Sequence, residues 1–492
     1  MRFIQCLIDL PLRILSFPAA RALLVCSLIW LLGFSYGRLF LWRDPHSAYF
    51  QSESVYDLDY SAVRQKEARD FIAQLTPNKP TESAAVAAPT HTASKGGEEA
   101  AVEKVKSVRP ALPLKTGPHP SICAAFVTVR REPAAARLYL ADSVGSMLAG
   151  LDPRERRALN VSLLFGDTDP ARHPDWGAPW VRALVDAAGG YVGLTDLEKA
   201  GLRKAEEERD LPLKGVFDYV YVLERCLEET QAPFVAVFED DIIFAADWMA
   251  RTMKGLQWLV QDYRSVDGGD AADWLYLRLF YTETHLGWEK EGDWWYHHLP
   301  LTLALSAAGT ATLLLVLRLL GCGAKLRLDW ATIAVVSLLV APGFTVLAFM
   351  AGKHNLPLPS SFHHRLPFDS ATGGVMPMEK RGCCTQALVF HRPALPALIQ
   401  YLRKRERGQT DVMIEEYCDA TGLKRFALAE QAVQHIGLVS SRGMAAKDTR
   451  SVWAFWFEAN KADEVERRHR KTVEEVDWAM FDKLAASGKQ GY

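Results

Sequence analysis

Charge of one sign is missing from this chain: 57 Lys and Arg stand against 59 Asp and Glu, a net charge of −2 over 492 residues. With no basic block and no base-reading motif, nothing suggests a nucleic-acid partner. Cysteine is sparse, eight in all, and none falls in a C-x-x-C pair or in a Cys/His spacing that suits zinc. No internal repeat is evident. Between residues 76 and 120 there is no Trp, Tyr or Phe, only sequence rich in Ala, Pro, Thr, Lys and Glu. Such a segment cannot bury enough apolar surface to offset its ordering entropy, so its composition predicts a flexible stalk.

What is present is hidden by averages. The mean hydropathy is near zero, yet three apolar blocks stand among polar sequence. The first follows a short basic head with Arg2, Arg13 and Arg21. Residues 22–37 are uncharged, and the apolar stretch runs on past Arg38 to Trp42. At about 1.5 Å per residue this is enough to cross a hydrocarbon core about 30 Å thick. A cleaved signal peptide is the competing reading, against which the length of the apolar segment and its lack of a good small-x-small exit weigh. The second and third blocks, residues 299–317 and 330–352, are joined by a connection carrying Arg318, Lys325 and Arg327. Two uncharged helices joined by a basic turn predict a membrane hairpin with the turn in the cytosol. The first span, with its head in the cytosol, delivers the rest of the chain to the same far side.

On that side Cys123, Cys226, Cys383, Cys384 and Cys418 meet oxidising conditions, and their pairing cannot be read from spacing. Asn160 heads the only N-glycosylation sequon. Strand-like and helix-like runs alternate from residue 119. Strands are expected at 122–129, 160–165, 234–238, 274–280 and 385–390. Helices are expected at 62–75, 134–148, 180–188, 215–230, 393–405, 412–421 and along the tail from 462. This is the pattern of an α/β sheet with helices on both faces.

The sharpest signal is VAVFEDDIIF at 235–244, where Glu239, Asp240 and Asp241 end an apolar strand. Three adjacent carboxylates repel one another and are tolerated best beside a cation. Ligands of open α/β sheets bind beyond the carboxyl ends of the strands. Hard oxygen ligands suit Mg²⁺ or Mn²⁺, which can stabilise a departing nucleoside diphosphate. For a solitary acidic triplet, a solvated turn is the competing explanation.

The strand-EDD element, preceded by LKGVFDYVYVLERC (213–226), resembles the DXD element of nucleotide-sugar transferases of the GT-A fold. The later QHIGLVSS (434–441) resembles a segment near the end of several such enzymes. The membrane hairpin inside the domain narrows the resemblance to the post-GPI-attachment N-acetylgalactosaminyltransferase family, over about residues 119–441. That resemblance implies a Rossmann-like GT-A domain, UDP-GalNAc as donor, Mn²⁺ or Mg²⁺ as cofactor, and a mannose of the GPI-anchor glycan as acceptor. It also implies a multi-pass Golgi membrane protein with a luminal catalytic domain. The expected organisation is a head (1–21), an anchor (22–42) and a luminal stem (43–118, flexible from 76). The catalytic domain follows in two parts (119–298 and 353–492) around the hairpin (299–352).

Carried over by residue, Glu239 and Asp241 take the outer, metal-binding positions and Asp240 the middle one. The Glu in first position departs from the family pattern. His435 matches the late histidine and joins the metal set. Thr128, Arg130 and Arg131, after the first strand, and Lys214 and Asp218, on the helix before the EDD strand, are expected to contact the nucleotide. An inverting displacement needs a base for the acceptor hydroxyl. Asp411 is the candidate, with Glu415 and Glu416 as weaker competitors. Two rivals remain: another GT-A enzyme, such as an N-glycan N-acetylglucosaminyltransferase, and a membrane adaptor that kept the fold without activity. The hairpin argues against the first, since such enzymes usually have one span. Loss of activity on substitution of Glu239 or Asp241 would exclude the second.

Overall fold

Strand β1 (Ile122–Thr128) is apolar along almost its whole length because both its faces are covered, the condition of a central parallel strand. It pairs in parallel with β2 (Leu159–Phe165) on one side and with β4 (Phe234–Glu239) on the other. β3 (Ala187–Gly189) extends β2 in parallel. After the short β5 (Ile242–Phe244), β6 (Trp274–Arg278) pairs in parallel with β9 (Lys424–Leu428), against which β7 (Val375–Pro377) runs antiparallel. With β8 (Ala387–His391) these complete a mostly parallel eight-stranded sheet in the order β3-β2-β1-β4-β8-β6-β9-β7. The structure is a computed structural model that describes residues 17–45, 47–51, 58–75, 115–131, 139–263, 273–282, 297–320, 328–352, 374–378, 384–437 and 453–487. The expected N-terminal head up to residue 16, the stalk between 76 and 114, most of the hairpin turn and residues 438–441 fall outside these.

The chain divides into two compact units. One comprises Met1–Ala62, Lys254–Leu388 and Asp411–Glu464; the other comprises Val63–Met253, Val389–Thr410 and Val465–Tyr492. In the first, three helices have the length and composition of membrane spans: Pro18–Phe40, Leu299–Leu319 and Trp330–Ala351. Leu28, Leu32, Leu305, Leu313 and Leu338 are all exposed on them, an outward face that suits lipid. The spans also touch one another. The Trp30 indole N–H donates to the Gly343 carbonyl at 2.9 Å, the Ser306 and Thr345 hydroxyls meet at 2.8 Å, and Gly33 lies against Leu347. Small and polar residues at such contacts let helices approach and bond in lipid. The third span widens into a π turn at Val336–Val340, just before Pro342. Pro342 has no N–H for the carbonyl four residues back, so the ladder must shift there.

In the same unit a buried polar network underlies the QHIG segment. The Gln434 amide donates to the Ala454 carbonyl and to Glu458, each at 2.9 Å, and accepts from the N–H of His435 at 3.1 Å. Glu458 in turn accepts from the N–H groups of Asp59 and Ser61 and from the Ser61 hydroxyl, at the start of the helix Tyr60–Leu75. An external carboxylate thus satisfies donors that a helix N-terminus leaves open.

The second unit holds β1–β4. Helix Leu211–Glu229 starts at Asp210, whose carboxylate accepts from the N–H of Leu213, and it buries Val216, Tyr219, Val220 and Leu223 as its periodicity requires. A disulfide from Cys123 in β1 to Cys226 ties this helix to the sheet. Residues from beyond the hairpin complete the unit. Arg392 donates to the carbonyls of Leu227, Thr230 and Ala232, and helix Leu395–Arg405 packs on Leu211–Glu229. Helix Ala462–Glu475 is held by His469 on Glu155 and by Arg468 on Asp247.

One expectation needs correction. The helix expected at 180–188 ends at Leu184, and Ala187–Gly189 is a strand. The chain turns there because the Asp186 carboxylate accepts from the N–H groups of Thr116 and Val161, at 2.9 and 2.8 Å, while its own N–H pairs with the Val161 carbonyl. Helix Thr410–Thr421 carries Asp411 in its first turn. The helix expected at 62–75 is present as Tyr60–Leu75 and packs on the second unit. From helix Tyr60–Leu75 the buried Arg64 donates to the carbonyls of Phe244, Ser146 and Ala149 at 2.9, 2.6 and 3.0 Å.

Candidate active site

The acidic triplet sits where a parallel sheet presents ligands, at the carboxyl end of β4. Its turn into β5 is held by helix Tyr139–Leu148. The Ser143 hydroxyl donates to the Asp240 carbonyl at 2.9 Å and accepts from the N–H of Ile242 at 3.0 Å; the Ser146 hydroxyl accepts from the N–H of Phe244 at 3.1 Å. Two serines three apart share one helix face, so both reach the same turn.

Asp240 and Asp241 are each 4% exposed, and Glu239 is partly buried. Buried carboxylates need partners, and the end of β1 and the residues just after it supply them. The Thr128 hydroxyl donates to Asp240 at 2.6 Å, and the Arg131 guanidinium pairs with Asp240 and lies 3.1 Å from Asp241. Burial works against the Arg131 charge, but Asp241 and Asp240 outweigh it and hold the pKa well above the ordinary value. Arg130 is exposed, and its backbone N–H donates to Asp167 at 3.0 Å.

Behind this end, Lys214 donates to both oxygens of Asp218 at 2.8 Å, to the Tyr191 hydroxyl and to the Gly166 carbonyl. Tyr191 donates to Asp218 as well. Burial raises the Asp218 carboxyl above its ordinary value, against the pull of Lys214 and Tyr191. The Gly166 N–H donates to the Thr128 carbonyl at 2.7 Å, which joins this cluster to the end of β1. Lys214 and Asp218 therefore satisfy one another and shape the wall beneath the β1 and β2 ends.

Asp411 and His435 belong to the other compact unit. Asp411 is half-buried and accepts from the N–H of Val412 at 2.9 Å, in the first turn of its helix, where a carboxylate is favoured. His435 is buried, its ring 6.4 Å from that of Phe280. Glu415 is engaged by the Tyr276 hydroxyl, Arg278 and Arg425. Glu415 is thereby tied into a buried polar network. Glu416 is exposed.

All donors in the triplet are hard oxygens, the set that suits Mg²⁺ or Mn²⁺. Among the described residues no three His, Cys, Asp or Glu side chains gather into a complete ligand set.

Sequence reasoning missed Ser143, Ser146, Tyr191 and His173. Only His173 carried a signal, its place in the loop after a parallel strand. Its Nε2 lies 3.1 Å from the Thr128 hydroxyl, and its Nδ1 accepts from the N–H of Asp175 at 3.1 Å.

Three candidate spans among the described residues make this a multi-pass membrane protein, and it is an enzyme of the glycosyltransferase class. The family model described as GPI-N-acetylgalactosamine transferase PGAP4 matches residues 122–434, and the chain belongs to that family. It is accordingly a glycosyltransferase that transfers N-acetylgalactosamine to the GPI-anchor glycan, which implies UDP-GalNAc as donor. No curated protein matches the chain individually.

Proposed function

We propose that transfer takes place in the Golgi lumen, is inverting and metal-dependent, and is directed to a mannose of the GPI glycan. The observation that carries the proposal is the buried EDD turn, clamped by Thr128 and Arg131 at the carboxyl end of β4. Glu239 and Asp241 would hold Mn²⁺ or Mg²⁺, and the cation would supply charge that favours departure of the diphosphate. Arg131 supports that charge from the protein side, since its guanidinium remains protonated in this setting and can move from the carboxylates to phosphate oxygens. Thr128 keeps Asp240 directed at the nucleotide, and Arg130 is near enough to the chain surface to meet it from solvent. The mutual pairing of Lys214 and Asp218 leaves them to shape the nucleotide pocket. Asp411 takes the acceptor proton as the hydroxyl attacks the anomeric carbon.

The experiment is UDP-GalNAc transfer to a GPI-glycan acceptor by purified full-length protein, with Mn²⁺ present or chelated. Asp241→Ala and Glu239→Ala should each lower kcat/KM by at least about a hundredfold, the scale of losing an electrostatic contact to the transition state. Asp411→Asn should lower kcat while UDP affinity is kept. Full activity of Asp241→Ala, or of wild type in chelator, would overturn the metal-dependent reading.

A further inference from the structure

The loop after β2 places an imidazole behind the EDD turn in an arrangement with only one consistent set of protons. The backbone N–H of Asp175 points at His173 Nδ1, at 3.1 Å, so Nδ1 accepts and carries no proton. In the neutral ring the proton is then on Nε2, which donates to the Thr128 hydroxyl at 3.1 Å. Thr128, its acceptor site filled, donates its own proton to Asp240 at 2.6 Å. All three side chains are buried, and the Phe165 ring meets the imidazole edge-on at 5.0 Å. Burial lowers the His173 pKa below the ordinary imidazole value, although Asp175, Asp240 and Asp167 act the other way. The neutral ring and the geometry agree.

We infer that His173 is a positioning residue for donor binding, which fixes the Thr128 hydroxyl so that it donates to Asp240 and holds the middle carboxylate of the triplet in one orientation. A threonine hydroxyl alone rotates among several partners. With Nε2–H filling its lone pair on one side, only one rotor position serves both neighbours, and hydrogen bonds in such chains reinforce one another. Asp240, held by Thr128 on one oxygen and by Arg131, is then placed before the nucleotide arrives, which lowers the ordering cost of binding. This inference rests on the assignment of the EDD turn as the donor site.

The test compares His173→Gln, His173→Asn and His173→Phe in the full-length protein, by UDP affinity in the presence of Mn²⁺ and by the KM for UDP-GalNAc. Gln brings an amide N–H near the position of Nε2, whereas Asn brings a carbonyl oxygen near that of Nδ1. The Gln variant should stay within about threefold of wild type. Asn and Phe should weaken UDP and raise KM roughly tenfold, the factor that about 1.4 kcal/mol is worth, with a smaller change in kcat. A role confined to supporting the Asp175 N–H would give the reverse order, with Asn rescuing and Gln failing, and would overturn the relay. Equal affinities across the series would overturn it too. The Gln and Asn variants each keep one polar half of the ring, so their comparison decides even where the Phe variant does not fold. Asp241→Asn runs alongside. If it loses UDP binding while the His173 series matches wild type, only the relay fails; if it keeps UDP binding, the donor-site assignment fails and takes the relay with it.

Discussion

Replacement of Arg64 by Met should detach a helix that precedes the stalk from the core it serves. Met keeps most of the aliphatic length of Arg, so the change removes chiefly the guanidinium. That group donates to three backbone carbonyls, of Phe244, Ser146 and Ala149, at 2.6 to 3.0 Å. Arg64 is 2% exposed, so little water is at hand to replace it. A hydrogen bond from a charged donor contributes about 1.5–3 kcal/mol net, and a buried acceptor left open costs a similar amount. Allowing for relaxation and some entry of water, the loss should be about 3–5 kcal/mol. The contact to Glu67 adds little, because that carboxylate is 46% exposed. For a unit of this size about 1 kcal/mol shifts Tm by about 2–4 °C, so Arg64→Met should melt roughly 6–20 °C earlier. The assay is thermal unfolding of purified protein in detergent, with Glu67→Gln as a control expected within about 3 °C of wild type. Because Ser146 and Phe244 belong to the elements that hold the EDD turn, UDP affinity should fall as well. An Arg64→Met protein that melts within about 3 °C of wild type would show that this helix is only a spacer.

Docking of helix Ala462–Glu475 should weaken at alkaline pH. Burial opposes the charge of His469, but Glu155, 2.8 Å away, outweighs it and leaves the imidazole pKa raised. A raised folded pKa contributes stability that is complete below the ordinary imidazole range and lost as pH rises through the folded value. Tm measured from pH 6 to 8.5 should therefore fall more steeply for wild type than for His469→Gln, and parallel profiles would refute the linkage. Loss of the Cys123–Cys226 bridge, by Cys→Ser at either position, should cost about 4–5 kcal/mol from the closed loop of 103 residues. Cys418 is buried with its pKa pushed up to about 12 by burial, so it should react with a thiol reagent only after unfolding. Finally, a protein with Gly33→Cys and Leu347→Cys should cross-link under a mild oxidant in membranes, because a Cβ at position 33 would meet the Leu347 side chain. No cross-link would mean that the first span stands apart from the third.

Much of the architecture was legible because it is written in composition and period. An uncharged run long enough for a bilayer has few other uses, so all three spans stand where hydropathy puts them, with ends displaced by a few residues. The buried strands β1, β2 and β4 read as continuous apolar runs for the same reason: a central parallel strand has no solvent face. The acidic triplet was conspicuous because three adjacent charges at the end of such a strand violate local expectation and call for a partner. Less legible was anything set by a single polar contact. The helix expected at 180–188 stops where Asp186 turns back onto the neighbouring strand, and no periodicity announces that. The helix Tyr60–Leu75, amphipathic only weakly and adjacent to a stalk, gave no sign that Arg64 is buried in the core.

The candidate site divides along the same line. Residue types and strand position singled out the triplet Glu239, Asp240 and Asp241, whereas Thr128 and Arg131 came only with the family resemblance; the fold brings Thr128 and Arg131 onto Asp240. What the side chains do with one another required the fold. Lys214 and Asp218, one helical turn apart, close on each other and on Tyr191; Glu415 is taken by Tyr276 and two arginines; His173, distant in sequence from both Thr128 and Asp240, joins them through a loop. A sequence determines locally which segments are apolar enough to span or to form strands, because burial is an additive property of neighbouring residues. The direction of each buried hydrogen bond is a property of three-dimensional coincidence. It is decided only when the sheet brings the ends of β1, β2 and β4 together and each buried donor must find its one available acceptor.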